Sequence, residues 1–256
     1  MIRYPEYGFG DKVALITGAG TGVGRSVAEE LAKGGAKLAL FGRRLEKLEE
    51  TRAECLKYTD DVLACSVDVG EKDQVTANVG KVLEHFGRVD ILVNNAGFER
   101  RLAPGETFWD TYFDKLSPEE YLQNFRTHTL GHYLMNNAVI PSMIAHRFGR
   151  IVNVTSILGI SPGFETPAYS GSKAAAISQT AAFAKKYGEY NITVNALAPG
   201  MINTPMKIDS TPEEFRICAE AATLKRIAEP IDIARVVLFF AQENLLVTGQ
   251  VLQVGV

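Results

Sequence analysis

The sequence predicts a single α/β domain: a doubly wound parallel sheet of seven strands with helices on both faces. Short apolar runs rich in β-branched residues alternate with longer segments of helical period from the first dozen residues to the last. These runs are apolar on both faces, which is typical of strands buried in a parallel sheet. The 256 residues contain no internal repeat, low-complexity tract or flexible linker, so residues 1–256 are predicted to form one domain.

The predicted elements follow one another in βαβ order. Strands are expected at 13–16, 38–41, 62–67, 91–93, 150–154, 192–198 and 251–254. Helices are expected at 25–33, 45–57, 72–86, 118–146, 173–187 and 231–241. Glycines at 34–35, 87 and 149 stand where helices should end, which predicts left-handed C-caps. Because parallel connections are right-handed, helices should cover both faces, and ligands should bind outside the carboxyl ends of the strands.

Charge and composition exclude several classes of function. The 27 Lys and Arg against 30 Asp and Glu leave a formal net charge of −3, too weak a field to predict binding to nucleic acid or to a membrane. The 3 cysteines lack CxxC spacing, which argues against disulfides and favours a reducing, cytoplasmic location. His128 and His132 lie four residues apart without the acidic residue of an HExxH pattern, so no metal is expected. Neither a secretory signal nor a membrane-spanning segment is visible.

A glycine-rich turn directly follows the first predicted strand and precedes the first predicted helix. Such a turn lets a pyrophosphate approach backbone N–H groups at a helix N-terminus, where the helix dipole favours negative charge. The simpler alternative is a tight strand-to-helix connection without a ligand. The position at the first βα junction favours dinucleotide binding. The residues assigned to this turn are Gly18, Gly20, Thr21, Gly22, Val23 and Gly24.

Two arginines, Arg43 and Arg44, follow the second predicted strand. An acidic residue at this point would bind the ribose 2′-hydroxyl of NAD, whereas arginine accommodates a 2′-phosphate through charge-assisted hydrogen bonds. The alternative is that both arginines form a solvated start to the next helix. The sequence therefore predicts NADP(H) in preference to NAD(H).

Several motifs in the same order resemble those of the short-chain dehydrogenase/reductase family. The turn has the spacing TGxxxGxG, and Asn94-Asn95-Ala96-Gly97 follows the fourth predicted strand. Ser156 ends the fifth strand, Tyr169 and Lys173 form a YxxxK motif 13 positions later, and Pro199-Gly200 follows the sixth strand. The resemblance runs from about residue 10 to the C-terminus. It implies a Rossmann-type fold and an oxidoreductase that interconverts a carbonyl and a secondary alcohol.

The chemistry of these three side chains is consistent with that reaction. Tyr169 and Lys173 are four residues apart, so on a helix they lie on one face. A free tyrosine titrates near pKa ~10, and a nearby ammonium and an oxidised nicotinamide both favour its phenolate. Ser156 can donate a hydrogen bond to the substrate oxygen while Tyr169 moves the proton. Taken alone, a Tyr–Lys pair is more often a surface feature of a helix.

The resemblance also implies further cofactor contacts. Asp68 and Val69 match a pair that contacts adenine, Asn95 matches a residue near the adenosine ribose, and Lys173 is implied to hold the nicotinamide ribose. Asp68 and Asn95 could instead cap backbone N–H groups at strand ends, and both roles can coexist. The residues matched to the carboxamide end of the nicotinamide are Ile202 and Thr204.

One catalytic position departs from the family pattern. The family commonly has an asparagine on the long helix after NNAG, taken to hold a water in a proton relay through the lysine. His128 stands there. A histidine could also bind water, and because it titrates near neutrality it could act as a relay with a different pH dependence. Asn124, one turn earlier, could substitute for it, or the position could be structural.

A segment of unusual aromatic density, residues 98–116, follows the NNAG motif. A βα loop at this edge could cover the site, which predicts an apolar substrate pocket completed by Phe164 and residues 201–215. Alternatively, the aromatic side chains pack against their own chain or against another subunit. The aromatic residues of the segment are Phe98, Phe108, Trp109, Tyr112 and Phe113.

These observations predict an NADP(H)-dependent oxidoreductase acting on a small-molecule substrate such as an apolar ketone, a hydroxysteroid or a 3-oxoacyl thioester. The resemblance implies a homotetramer or a homodimer, although the C-terminus lacks the common Asp-Gly-Gly ending of the family. The alternative is a sensor or scaffold that binds a dinucleotide and has lost turnover. Ser156, Tyr169 and Lys173 argue against that alternative, and only His128 favours it.

Overall fold

Seven parallel strands form one sheet. The computed structural model describes residues 8–98, 116–162, 167–207 and 210–256. All seven predicted strands are present within two residues of the expected bounds, and the predicted doubly wound sheet is confirmed. The strands are β1 Val13–Thr17, β2 Lys37–Gly42, β3 Val62–Ser66, β4 Ile91–Asn94, β5 Gly149–Val154, β6 Ile192–Pro199 and β7 Val251–Val254. They lie in the sheet in the order β3-β2-β1-β4-β5-β6-β7.

Helices connect the strands and cover both faces of the sheet. The helices are α1 Gly22–Lys33, α2 Leu45–Cys55, α3 Lys72–Phe86, α4 Pro118–Phe125, α5 Gly131–His146, α6 Pro167–Tyr187, α7 Pro212–Ala221 and α8 Pro230–Phe240. Successive side chains of β1 lie on opposite faces of the sheet. Ile16 therefore packs in a core with α1, α2 and α8, and Leu15 packs in a second core with α3, α5 and α6.

Three helices differ from the predicted pattern. The long helix expected at 118–146 is interrupted by a π-helical turn at Arg126–Leu130. Helix α6 begins at Pro167, six residues before the predicted start, because proline suits the first turn of a helix. Helix α7 was not predicted, although Thr211 and Glu214 form a capping box that is readable in the sequence.

The predicted glycine caps are confirmed at two of the three places. Gly35 and Gly87 have φ values of +87° and +78°. Gly149 is not a cap. Arg147 ends α5 in the left-handed region at φ +50°, and Gly149 begins β5, where a Cβ atom would lie 2.5 Å from Met143 Sδ. Close packing of α5 on β5, and not backbone conformation, therefore explains the glycine.

Strand order reverses between β1 and β4. From β1 the chain builds β2 and β3 on one side, and from β4 it builds β5, β6 and β7 on the other. Connections leaving the carboxyl ends of β1 and β4 therefore diverge, and a crevice opens between them. In the described ranges, no helix has the length and apolar character needed to cross a membrane.

Candidate active site

The glycine turn lies at the carboxyl end of β1 and leads into α1. Gly18 and Gly22 have φ values of +65° and +55°, a region that side chains strongly disfavour. Helix α1 has no acidic side chain in its first turn, so its N-terminal N–H groups present a positive potential to the crevice.

Partly buried hydrogen bonds join this turn to the end of β4. Thr17 Oγ1 accepts from the N–H groups of Asn95 and Ala96, both at 2.9 Å. Asn95 Nδ2 donates to the carbonyl oxygens of Thr17 at 3.0 Å and Gly18 at 3.3 Å. Asn95 thus fixes the backbone of the turn while also lining the crevice. Thr17 was missed as a site residue because its contacts join segments far apart in the sequence.

Asp68 caps backbone N–H groups beyond the end of β3, which is the alternative role that its position predicts. Its Oδ1 accepts from the N–H of Gly70 at 2.9 Å, and its own N–H donates to Gln74 Oε1 at 2.9 Å. Asp68 and Val69 also line the crevice.

Arg43 and Arg44 lie at the open end of the crevice. Both side chains are exposed, and Arg44 Nη2 lies 3.5 Å from Thr21 Oγ1 in the glycine turn. The crevice walls carry Arg43, Arg44, Lys47 and Lys173, and Asp68 is the only carboxylate among the described lining residues. This excess of positive charge favours an anionic ligand.

The three predicted catalytic residues lie together at the other end. Ser156 follows β5 in extended backbone, and its Oγ accepts from the N–H of Leu158 at 3.2 Å. Lys173 is buried, and its Nζ donates to the carbonyl oxygen of Val154 at 3.0 Å. The same Nζ lies 5.6 Å from the ring centroid of the half-buried Tyr169.

Burial changes the acidity of Lys173. Removal from water lowers the pKa of its ammonium from 10.5 to about 7. A nearby phenolate would favour the charged lysine, and the charged lysine would favour the phenolate. The geometry therefore suits a coupled Tyr169–Lys173 pair, in which the charge on each group favours the charge on the other.

His128 lies in the π-helical turn and is fully buried. Its Nε2 accepts from the N–H of Phe98 at 3.2 Å. Its Nδ1 lies 3.0 Å from Ser172 Oγ. Because Ser172 donates its hydroxyl hydrogen to the carbonyl oxygen of Tyr169 at 2.7 Å, Nδ1 carries the proton and donates to Ser172.

This arrangement contradicts the expectation that His128 titrates near neutrality. Both ring nitrogens are engaged, and burial, followed by the charge of Lys173, holds the pKa of His128 well below 6.5. Asn124 is buried with its Nδ2 donating to the carbonyl oxygen of Glu120 at 2.9 Å, and it is not among the residues that line the crevice. Sequence reasoning missed Ser172, which joins His128 to the backbone of Tyr169.

One cleft of about 840 Å³ connects the glycine turn, the arginines and the catalytic residues. Every predicted site residue lines it except Gly24, which packs behind the turn. Ile202 and Thr204 are on its wall beside Met206. In the described part of the chain, no group of three His, Cys, Asp or Glu side chains could hold a metal ion.

The predicted aromatic pocket is described only in part. Phe98 lines the cleft with its ring centroid 5.4 Å from that of His128. Four other aromatic residues of the segment and one later phenylalanine lie outside the described residues: Phe108, Trp109, Tyr112, Phe113 and Phe164.

We predict that the free energy of unfolding decreases as the pH falls below about 6.5 because of His132. Burial lowers the pKa of this histidine to about 3, while an unfolded histidine titrates near 6.5. Between these values only the unfolded chain binds the proton, so stability falls by roughly 1.4 kcal/mol per pH unit. Chemical denaturation from pH 4 to 7 gives the free energy of unfolding at each pH. The slope of this free energy against pH should be smaller for His132→Leu than for the unmodified protein, and unchanged for the exposed control His146→Leu. Equal slopes in all three proteins would contradict the prediction.

The fold and the site together define a Rossmann-type oxidoreductase that uses a nicotinamide dinucleotide. The sequence model of the short chain dehydrogenases matches residues 12–214. The chain belongs to this short-chain dehydrogenase/reductase family, and it is accordingly an enzyme that acts between an alcohol and a carbonyl group.

Known proteins resemble the chain over nearly its whole length. The 3-oxoacyl-acyl-carrier-protein reductase FabG of Thermotoga maritima is 35% identical over 94% of this chain and 95% of its own length. Levodione reductase of Leifsonia aquatica is 37% identical over 94% of this chain and 91% of its own. The crystal structure of levodione reductase superposes with a TM-score of 0.88. The crystal structure of L-sorbose reductase from Gluconobacter frateurii with NADPH and L-sorbose superposes with a TM-score of 0.87, at 28% identity and with 97% coverage of both chains.

Proposed function

We propose that the protein is an NADP(H)-dependent oxidoreductase that interconverts a ketone and a secondary alcohol on an apolar substrate. The observation that carries this proposal is the convergence of Ser156, Tyr169 and Lys173 at one end of a cleft that begins at a glycine turn. The glycine backbone, the α1 N-terminus and the basic walls suit a dinucleotide. When bound, the nicotinamide donates or accepts the hydride.

The residues proposed to hold the dinucleotide form three groups along the cleft. The glycine turn with Val23 would contact the pyrophosphate, and Asp68, Val69 and Asn95 would surround the adenosine. Ile202 and Thr204 would flank the nicotinamide end, where Lys173 would hold the ribose.

Ser156 and Tyr169 are proposed to act on the substrate oxygen. Ser156 Oγ accepts the N–H of Leu158, which orients its hydroxyl hydrogen away from that bond and toward an acceptor in the cleft. In reduction, Ser156 donates a hydrogen bond to the carbonyl oxygen as negative charge develops, and Tyr169 donates the proton that makes the alcohol. In oxidation, the Tyr169 phenolate removes the hydroxyl proton.

Lys173 is proposed to stabilise that phenolate. Its ammonium is buried close to the Tyr169 ring, with one N–H bonded to Val154. An ammonium in a site of low polarity lowers the pKa of a neighbouring phenol more strongly than it would in water. His128 is proposed to hold Phe98 and Ser172 in place, since both of its nitrogens are already engaged.

The preference for NADP(H) is proposed from Arg43 and Arg44. We expect Arg43→Ala and Arg44→Ala each to weaken NADPH binding by roughly tenfold to a hundredfold, the value of a charge-assisted hydrogen bond, with little change for NADH. Fluorescence titration of both cofactors measures this. The matched control is Arg235→Ala, an exposed arginine on α8. Tighter binding of NADH than of NADPH by the unmodified protein would overturn the proposed preference.

An apolar substrate is proposed from the apolar residues of the cleft. Phe98, the first residue of the aromatic segment 98–116, lies near Tyr169, because both rings contact the His128 ring. Ile202, Pro205 and Met206 add apolar surface to the wall of the cleft. The relatives include reductases of a 3-oxoacyl thioester and of levodione, while L-sorbose, a sugar, is present in the complex of a third. Of these classes, the apolar lining favours the first two.

A panel of ketones and alcohols, followed by nicotinamide absorbance, tests the reaction and the substrate class. We expect turnover, with kcat/KM rising roughly fourfold for each additional methylene that the pocket buries. The panel should include small polar ketones, cyclic apolar ketones and 3-oxoacyl thioesters. A preference for small polar ketones would contradict the apolar pocket. Cofactor binding without any turnover would favour the alternative, a catalytically silent sensor or scaffold.

We also propose that residues 1–256 act as one domain and that the chain assembles as a homodimer or homotetramer. Exposed apolar side chains on α4, α5 and β7 support an assembly, because water contact with them is unfavourable. These side chains are Tyr121, Leu122, Tyr133 and Leu252.

A further inference from the structure

A column of buried polar side chains runs from the π-helical turn into α5. His128, His132 and Asn136 follow one another at intervals of four residues, so they lie on one helix face. All three are buried, with 2% or less of each residue exposed. The catalytic proposal uses only the region of His128, which leaves His132 and Asn136 without an assigned role.

The column faces α6 and the ends of β4 and β5. Thr129 Oγ1 donates to the carbonyl oxygen of Ser172 at 2.9 Å, which joins the start of the column to the turn of α6 that carries Lys173. At the other end, Asn94 Nδ2 donates to Asn136 Oδ1 and to Asn153 Oδ1, both at 2.8 Å. Lys173 Nζ is bonded to Val154, the residue after Asn153, and the charge of Lys173 acts on both His128 and His132, so the lysine lies close to the column.

Four buried atoms of this group have no hydrogen-bond partner among the described residues: both ring nitrogens of His132, Asn94 Oδ1 and Asn136 Nδ2. Each such atom costs about 1–3 kcal/mol if nothing satisfies it. The set contains donors and acceptors: one histidine nitrogen and Asn136 Nδ2 donate, while the other nitrogen and Asn94 Oδ1 accept. A buried water that makes about three hydrogen bonds suits such a set.

Lys173 has further hydrogen-bond donors close to the column. Its ammonium has three N–H groups, and the bond to Val154 uses one of them. The titratable and charged groups that face His132 are Lys173 from α6 and His128 from the preceding turn, whereas β4 and β5 contribute the neutral Asn94 and Asn153. A cation beside the column argues against a metal ion there, and an ordinary core histidine would have at least one partner.

We propose that His132, Asn136 and Asn94 enclose a buried water site that solvates the ammonium of Lys173 from the interior of the protein. His132 is then a positioning residue, which acts on the reaction through the lysine. This inference rests on the proposed roles of Tyr169 and Lys173. Because burial keeps His132 neutral, it serves as a hydrogen-bond partner and does not carry a proton.

Loss of His132 should make Lys173 easier to deprotonate and the Tyr169 phenolate less stable. In His132→Leu we expect the midpoint of Tyr169 ionisation to move to higher pH by about one unit, which is about tenfold less phenolate at neutral pH. His132→Asn keeps a hydrogen-bond donor and an acceptor, so its midpoint of Tyr169 ionisation should lie close to that of the unmodified protein. The matched control is His146→Leu, which removes an exposed histidine from the last turn of the same helix.

The experiment is an ultraviolet difference titration of the tyrosinate absorbance, made for each variant with Tyr169 and with Tyr169→Phe so that the other tyrosines cancel. The pH profile of kcat/KM for alcohol oxidation provides a second measurement. Below the midpoint, kcat/KM should fall about tenfold in His132→Leu. If that variant does not fold, Asn136→Ala provides the same test, with a smaller shift in the same direction.

Titration curves of His132→Leu and Asn136→Ala that superpose on that of the unmodified protein, with only thermal stability reduced, would overturn the proposal and make the column a packing feature. Failure of His132→Asn to restore the midpoint would also overturn it. A shifted phenolate midpoint without turnover on any substrate would support the water site and reject the proposed reaction. Turnover without any shift of the phenolate midpoint would support the proposed reaction and reject the water site.

Discussion

Replacing Tyr169 with phenylalanine should lower carbonyl reduction by roughly a thousandfold, within the range of 10² to 10⁴ for loss of a positioned acid or base. The phenol oxygen is the proposed proton donor, and no other titratable oxygen is present among the described residues that line this end of the cleft. The benzyl ring remains in the variant. Its edge contact with the His128 ring, with centroids 5.2 Å apart, should therefore persist.

Retention of the ring separates chemistry from folding in this experiment. We expect the melting temperature and the dinucleotide dissociation constant of Tyr169→Phe to stay close to those of the unmodified protein, with the loss confined to kcat. The control is Tyr133→Phe, which removes the hydroxyl of a partly exposed tyrosine on α5. Stopped-flow measurement of nicotinamide absorbance gives the rate. A Tyr169→Phe variant that keeps more than about a tenth of the activity would reject the assignment of Tyr169 as the acid.

The strands could be predicted closely because a buried parallel strand needs apolar side chains on both faces. Each apolar run therefore ends near the edge of the sheet, as at Val13–Thr17 and Ile192–Pro199. Helix boundaries depend on local signals as well. The start of α6 at Pro167 places Tyr169 in its first turn, and a pattern of apolar residues that begins at Lys173 does not contain that information.

The π-helical turn could not be predicted from periodicity. Its residues continue the helical pattern of α4 into α5, and the extra residue in the turn becomes evident only where His128 meets Ser172 and Phe98. These partners are 44 and 30 positions away in the sequence. Such insertions are frequent at functional sites, where they redirect a side chain. Here the turn buries His128 against Tyr169.

The candidate site was predictable wherever function constrains the conformation of the backbone or the number of residues between two side chains. The glycine turn and the four-residue separation of Tyr169 and Lys173 are of this kind. The residues that the sequence did not reveal are those that connect distant segments, such as Thr17, Ser172 and His132. Their role depends on which strands become neighbours, and this follows from the complete sheet and not from any local pattern.

Gly24→Ala should destabilise the protein and abolish tight dinucleotide binding. A Cβ atom at this position would lie 2.2 Å from the carbonyl oxygen of Gly18 and 2.5 Å from Asn95 Nδ2. Backbone atoms cannot rotate away as a side chain can, so α1 must separate from the glycine turn. We expect a loss of about 3 kcal/mol or more, at the upper end of overpacking. For a chain of this length, this corresponds to a melting temperature lower by roughly 6–12 °C.

The substitution should weaken dinucleotide binding as well as folding. Moving the turn breaks the bond from Asn95 Nδ2 to Gly18 O, 3.3 Å long, and redirects the N–H groups that are proposed to hold the pyrophosphate. We expect the NADPH dissociation constant, measured by calorimetry below the melting temperature, to rise at least about a hundredfold, the value of two such hydrogen bonds.

Gly80→Ala provides a matched control for this substitution. Gly80 lies in α3, is exposed, and has no atom within 4 Å of the added methyl group. The same change there should raise stability by about 0.4–1 kcal/mol, because alanine restricts the unfolded chain and favours the helix. If Gly24→Ala bound NADPH as tightly as Gly80→Ala, the turn would not be the pyrophosphate site, since a methyl group at position 24 cannot be accommodated without moving the turn.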